Sequence, residues 1–185
     1  MDKKEQNLLE AKNLSKYFPI KNFFGKTTHA VKAVDQVTFA IRKGETFGLV
    51  GESGCGKSTL GRTLIRMYEP TSGNIIFDGQ DITNIKGREL IECHKRMQII
   101  FQDPYSALDP PQNGRERMEE PIAVCEKLSP SQMEEKIVYL LEKVGRKADD
   151  MEKYAYEFSG GQRQRIGIAR ALSVNPEFLM CDEPI

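Results

Sequence analysis

The sequence predicts an α/β domain with an antiparallel β region at its N-terminus and a helical insertion late in the chain. Three observations carry that expectation. Residues 8–14 and 30–42 have strand character, a glycine-rich loop stands between an apolar run and a helical pattern over residues 46–67, and two capped helical patterns begin at Ser129 and Ser159. The length of 185 residues is that of about one domain with a core of its own. The 27 Lys and Arg residues balance 27 Asp and Glu, so the formal net charge is zero and a dedicated nucleic-acid binder is disfavoured. With 39% hydrophobic and 29% charged residues and no apolar run near bilayer length, the composition is that of a soluble globular protein. The opening Met1-Asp2-Lys3-Lys4-Glu5 is charged with no apolar stretch behind it, which argues against a secretory signal or lipidation and for the cytosol.

Taken in order, residues 8–14 and 30–42 read as strands, the second with Val37, Phe39 and Ile41 alternating with polar neighbours. Gly44-Glu45 turns the chain into Thr46-Phe47-Gly48-Leu49-Val50, an apolar run that fits a buried parallel strand. After the glycine-rich segment, residues 57–67 place Leu60, Leu64 and Met67 at helical spacing, closed by Pro70 and Gly73. Residues 74–77 read as a strand ending in the turn pair Asp78-Gly79, residues 88–95 as a helix, and residues 97–101 as another strand. Ser129, Pro130 and Gln132 form a helix start with a capping box; Met133, Ile137, Leu140, Leu141 and Val144 share one face, and Gly145 ends the helix. A last helix starts after Ser159, carries Ile166, Ile168, Ala169 and Leu172, and stops at Asn175-Pro176, before a strand over residues 178–181. Cys55, Cys93, Cys125 and Cys181 lack the spacing of a zinc site or disulfide framework and read as buried or half-buried thiols in a reducing compartment. His29 and His94 are isolated and read as surface or packing residues.

Three segments carry chemistry. Gly51-Glu52-Ser53-Gly54-Cys55-Gly56-Lys57-Ser58, with Thr59 after it, fits the phosphate-loop pattern G-x-x-x-x-G-K-[ST], in the strand-to-helix setting that pattern requires. Its glycines let backbone N–H groups curl around phosphate oxygens, the helix terminus adds partial positive charge, Lys57 reaches the β- and γ-phosphates, and Ser58 offers a hydroxyl to Mg²⁺. Asp182 and Glu183 follow four apolar residues at a strand end. Alone they would be a solvated acidic terminus; beside a phosphate loop, Asp182 suits the Mg²⁺ shell and Glu183 the polarisation of an attacking water. Ser159-Gly160-Gly161-Gln162 is a second anion-binding helix start with no side chain to block a phosphate, and an ordinary capped helix is its plain alternative. Two such termini in one domain suggest a head-to-tail pair, each nucleotide held by one subunit's phosphate loop and the partner's Ser-Gly-Gly-Gln.

Together these segments resemble the ATP-binding subunits of ABC transporters, with Ser159 to Gln162 as signature motif and Asp182-Glu183 as the Walker B end. The phrases Tyr17-Phe18-Pro19-Ile20, Gly51 to Ser58, Met97 to Ser106 and Phe158 to Arg170 resemble the oligopeptide and dipeptide importer branch. The resemblance implies the P-loop NTPase fold of ABC ATPase type, ATP and Mg²⁺ as cofactors, and one nucleotide-binding domain with its core over residues 1–102 and 159–185 and a helical subdomain over 103–158. It also implies that Tyr17 stacks on adenine and that Gln102 approaches Mg²⁺ and the attacking water. The implied partners are a second ATPase subunit, transmembrane permease subunits on the cytoplasmic face of the membrane and, indirectly, a peptide-binding protein, with no nucleic acid.

In the family the chain would continue beyond Asp182-Glu183-Pro184-Ile185 into a D-loop, a further strand and a switch histidine. Their absence leads to the expectation of weak or no turnover, marginal stability and association through an unpartnered strand. Ser106-Ala107-Leu108-Asp109 spells the D-loop phrase at the wrong place and is read as coincidence. A truncated ATP-binding module without turnover and a non-transport ABC ATPase are the alternatives to a transport ATPase.

Overall fold

The computed structural model describes residues 6–22, 27–101 and 112–182. Gln102, the 106–109 phrase and Glu183 lie outside the described residues. The chain divides into two compact units, Met1–Cys93 and His94–Ile185.

The first unit is built on a four-stranded antiparallel sheet in the order β2-β1-β3-β4, as the expected N-terminal β region requires. Its strands are β1 (Asn7–Lys21), β2 (Thr27–Arg42), β3 (Ser72–Phe77) and β4 (Gln80–Asp81). β1 and β2 form a longer hairpin than alternation alone predicts. The register breaks at Asn13 and Gln36, both with positive φ (48° and 52°), and the ladder resumes beyond them. Two side chains take up the bulges: Asn13 N–H donates to Thr38 Oγ1 (2.8 Å) and Gln36 N–H donates to the buried Ser15 Oγ (2.9 Å). Leu9, Leu14, Ile75 and Phe77 are fully buried with the inner residues of α1 (Lys57–Leu64), which packs on β1 and β2. Asp78 and Gly79 both take positive φ (50° and 81°), the conformation that a two-residue hairpin turn between β3 and β4 demands.

The expected strand over residues 46–50 is absent. The segment has no regular structure, and Phe47, Leu49 and Val50 are 44%, 46% and 94% exposed. A strand exists only with a ladder partner, and among the described residues none pairs with this run. Phe47 instead stacks on Phe39 of β2, ring centroids 5.1 Å apart. The helix after the loop is also shorter than its pattern. Arg66 turns left-handed (φ 61°) and its buried guanidinium donates to the carbonyls of Ile82 (2.9 Å) and Ile85 (3.3 Å), so α1 stops at Leu64 and Met67 points outward, 46% exposed.

α2 (Gly87–Arg96) spans the division between the units. The second unit pairs β5 (Met97–Ile100) with β6 (Phe178–Cys181) in parallel, and carries α3 (Gly114–Cys125), α4 (Pro130–Lys143) and α5 (Gly160–Leu172). Its core is Met118 and Ile122 of α3, Ile137, Leu140 and Leu141 of α4, Ile166 and Ala169 of α5, with Met151 and Phe158 from the intervening turns. The α4 start is as the sequence predicts: Ser129 N–H donates to Gln132 Oε1 (2.9 Å) and Gln132 N–H donates to Ser129 Oγ (3.4 Å). α3 has the same device in Asn113 and Glu116, whose backbone N–H groups each bond the other's side chain (3.0 and 2.9 Å). Of the four cysteines, Cys93 is buried and Cys125 half-buried as expected, whereas Cys55 and Cys181 are exposed. Cys55 lies in the open glycine-rich loop and Cys181 is the last residue of β6.

Candidate functional site

In the first unit the glycine-rich loop ends at Gly56, which caps α1 in the left-handed conformation (φ 98°). A Cβ there would stand 2.1 Å from the carbonyl oxygen of Ala33 in β2, so only glycine lets the loop lie this close to the sheet. Gly54 also has positive φ (80°), and a Cβ on Gly51 would stand 2.9 Å from Cys55 Sγ. Lys57 folds back over the loop: its Nζ donates to the carbonyls of Gly51 (2.8 Å) and Glu52 (2.7 Å). Uncharged acceptors, these two carbonyls and Cys55 Sγ at 4.0 Å, thus hold a cation at the mouth of a helix N-terminus, a position it can leave for an anionic partner. Glu52 and Ser53 are exposed along the loop, while Ser58 and Thr59 are half-buried in the first turn of α1.

The aromatic Tyr17 belongs to the same unit. Its β1 position faces Lys32 in the register of β2, one residue from the Ala33 carbonyl against which Gly56 packs. The Tyr17 hydroxyl donates to Asp35, Lys32 Nζ donates to the other oxygen of that carboxylate (3.2 Å), and the same ammonium lies 5.3 Å from the Tyr17 ring centroid. The hydrogen bonds from Tyr17 and Lys32 hold the Asp35 carboxyl below its ordinary range, and the paired carboxylate raises Lys32. Motif reading does not reach Asp35 and Lys32; the hairpin register, which sets residue 17 opposite residue 32, is the signal that finds them.

The second unit holds the other segments. Ser159 caps α5: Gln162 N–H donates to its Oγ (3.4 Å), and Ser159 N–H donates to Gln162 Oε1 (3.1 Å). Gly160 and Gly161 are exposed, with nothing within 4 Å of where a Cβ would stand and no positive φ. No internal contact among the described residues therefore requires glycine at either position. Asp182 is buried rather than solvated, 5% exposed, and its N–H donates to the Ile100 carbonyl (2.9 Å), carrying the β5–β6 ladder one residue past β6. Gln102, two residues beyond β5, and Glu183, next to Asp182, fall outside the described residues. Among the described residues no group of three His, Cys, Asp or Glu could hold a metal by itself.

The family model for ABC transporters matches residues 34–185. The chain belongs to the ABC transporter family. It is 48% identical over 183 residues to the oligopeptide transport ATP-binding protein AppF of Bacillus subtilis (strain 168), covering 98% of this chain and 56% of the relative. With the dipeptide transport ATP-binding protein DppF of Haemophilus influenzae it shares 42% identity over 183 residues, covering 99% of this chain and 56% of that protein. This member thus spans about half the length of the curated relatives it matches. Among solved structures, the dimeric post-hydrolysis state of the ATP-binding cassette MJ0796 bound to ADP and Pi matches with a TM-score of 0.85 and 25% identity, over 95% of this chain and 74% of that one. CbiO1 from Clostridium perfringens, part of the transporter complex cbiONQ, matches with a TM-score of 0.77 and 26% identity, over 97% of this chain and 66% of that one. The fold is that of the ABC ATPase cassettes. No helix among the described residues is long and apolar enough to cross a membrane.

Proposed function

We propose that this chain binds and hydrolyses ATP to energise peptide import, as one cassette of a pair docked on permease subunits at the cytoplasmic face of the membrane. The observation that carries the reading is Lys57, whose Nζ rests on the carbonyls of Gly51 and Glu52 and near Cys55 Sγ (4.0 Å), all neutral groups, above the N-terminus of α1 in a loop that Gly56 lets lie against β2. The peptide cargo follows the names of the relatives.

In this reading Gly51 to Thr59 cradle the phosphates, and Lys57 exchanges its carbonyl partners for phosphate oxygens. Tyr17 stacks on adenine. Ser58 and Asp182 would hold Mg²⁺ with help from Gln102, and the ion, when bound, would supply neutralising charge to the phosphates. Glu183 accepts a proton from the attacking water. Ser159, Gly160, Gly161 and Gln162 serve the nucleotide of a second subunit, which supports glycine at positions where this chain has no internal need of it. Residues 1–102 and 159–185 form the nucleotide core, and 103–158 the helical part that faces the permease.

Mg-ATP binding and phosphate release by the protein test the proposal. Lys57→Ala should weaken binding at least about tenfold, the loss of one charge-assisted phosphate contact. Glu183→Gln should retain binding and abolish release. Binding without any release from the unaltered chain would instead favour an ATP-binding module, and co-purification with nucleic acid rather than permease-bearing membranes a non-transport ATPase.

A further inference from the structure

We propose that Asp35 and Lys32 clamp the Tyr17 ring in place and so act as positioning residues for the adenine base. The inference rests on the reading of Tyr17 as the adenine platform and adds the pair that orients it.

A tyrosine on an open strand surface has two side-chain torsions to fix before it can serve as a stacking platform. Each immobilisation subtracts from affinity if it happens only on binding. Tyr17 is already fixed at both ends. Its backbone N–H donates to Thr71 Oγ1 (2.9 Å) on one side, and its hydroxyl donates to Asp35 on the other. Asp35 is itself anchored. It immediately precedes the bulge residue Gln36, whose N–H is tied to the buried Ser15 (2.9 Å), and its second oxygen accepts from Lys32 (3.2 Å). The Lys32 ammonium also lies 5.3 Å from the Tyr17 ring centroid, adding a cation–π contact to the hydrogen bond. The arrangement leads back to the phosphate loop, because Lys32 directly precedes Ala33, whose carbonyl oxygen lies 2.1 Å from where a Gly56 Cβ would stand. The base platform and the phosphate cradle are therefore registered by one stretch of β2.

The clamp should act on the base and not on the phosphates, and this separates it from a merely structural role. Equilibrium binding of Mg-ATP and of inorganic tripolyphosphate, which has no base, is measured on the full chain and on Tyr17→Ala, Tyr17→Phe, Asp35→Ala and the Tyr17→Phe/Asp35→Ala double variant. Tyr17→Phe keeps the ring and loses the hydroxyl, so it and Asp35→Ala should each weaken ATP about three- to tenfold while leaving tripolyphosphate unchanged. The double variant should be no weaker than either single one. Equal weakening of both ligands by Asp35→Ala, or additive losses in the double variant, would overturn the clamp. If Tyr17→Ala weakens ATP while Tyr17→Phe and Asp35→Ala do not, the clamp is refuted and the platform stands. If Tyr17→Ala leaves ATP affinity unchanged, the platform reading falls and the clamp with it.

Discussion

Asp150 is a carboxylate taken almost wholly out of water, 2% exposed, in the 3₁₀ turn Ala148–Glu152 between α4 and α5. Burial alone would push its carboxyl upward. Lys153 Nζ at 2.7 Å, the Lys147 N–H at 3.2 Å and Arg146 at 2.6 Å more than offset that, and leave it below its ordinary value of 3.8. A carboxyl that titrates lower folded than unfolded stabilises the fold above its unfolded value, and that contribution is lost as pH falls through the folded one. The stake is structural, because Gly114 at the start of α3 approaches so closely that a Cβ there would stand 2.6 Å from the Asp150 carbonyl. Asp150→Asn should cost about 3 kcal/mol at neutral pH by leaving two cations short of their partner. It should also flatten the acid limb: the urea midpoint, followed by circular dichroism, should drop less between about pH 5 and pH 3 in the variant than in the parent. An unchanged acid slope would mean that other carboxylates govern acid unfolding.

At the scale of elements, glycines mark two kinds of helix start. Gly56 is fixed by its own fold, with a positive φ and a Cβ position inside the Ala33 carbonyl contact, whereas Gly160 and Gly161 stand at an open terminus. Gly56→Ala should therefore lower thermal stability by about 2 kcal/mol or more and weaken ATP binding together. Gly161→Val should leave the unfolding midpoint nearly unchanged and abolish ATP-dependent pairing of two chains, read by light scattering with and without Mg-ATP. A large loss of stability in Gly161→Val would show that the glycine serves this chain and not a partner. The same distinction explains what the sequence makes legible. The Ser129/Gln132 and Ser159/Gln162 boxes, the Asp78-Gly79 turn and the loop leading into α1 are each decided by residues that lie close together in the sequence, so pattern alone places them. Residues 46–50 look like a strand because they are apolar, but a strand is decided by its partner, which composition does not contain. α3 escapes pattern reading because Pro121 interrupts it and its apolar residues make only a weak stripe, although Asn113 and Glu116 spell its start. The Tyr17 clamp is hidden for a third reason: its members meet across a hairpin, and register is set by bulges at Asn13 and Gln36 that break the alternation.

For the whole molecule, the neutral balance of 27 cationic and 27 anionic residues leaves no long-range repulsion to hold copies apart near pH 7. Into that neutral surface the chain sets one contiguous apolar run, Phe47 to Val50, whose backbone has no ladder partner among the described residues. Apolar side chains together with unpaired N–H and C=O groups are the ingredients of strand-to-strand association, so copies should associate through this run. Val50, 94% exposed and outside any described element, can take a charge with little disturbance of the fold. Val50→Lys should lower static light scattering of the nucleotide-free protein at pH 7 at least about twofold. Net charge changes by one in that variant, so the comparison that decides is Met67→Lys, which adds the same charge at another exposed apolar residue, 46% exposed just beyond α1. If the run drives association, Val50→Lys disperses the protein and Met67→Lys leaves it close to the parent. Equal dispersal by both would assign the effect to net charge, and a shift to pH 9, where the chain gains net negative charge, would then disperse the parent as well.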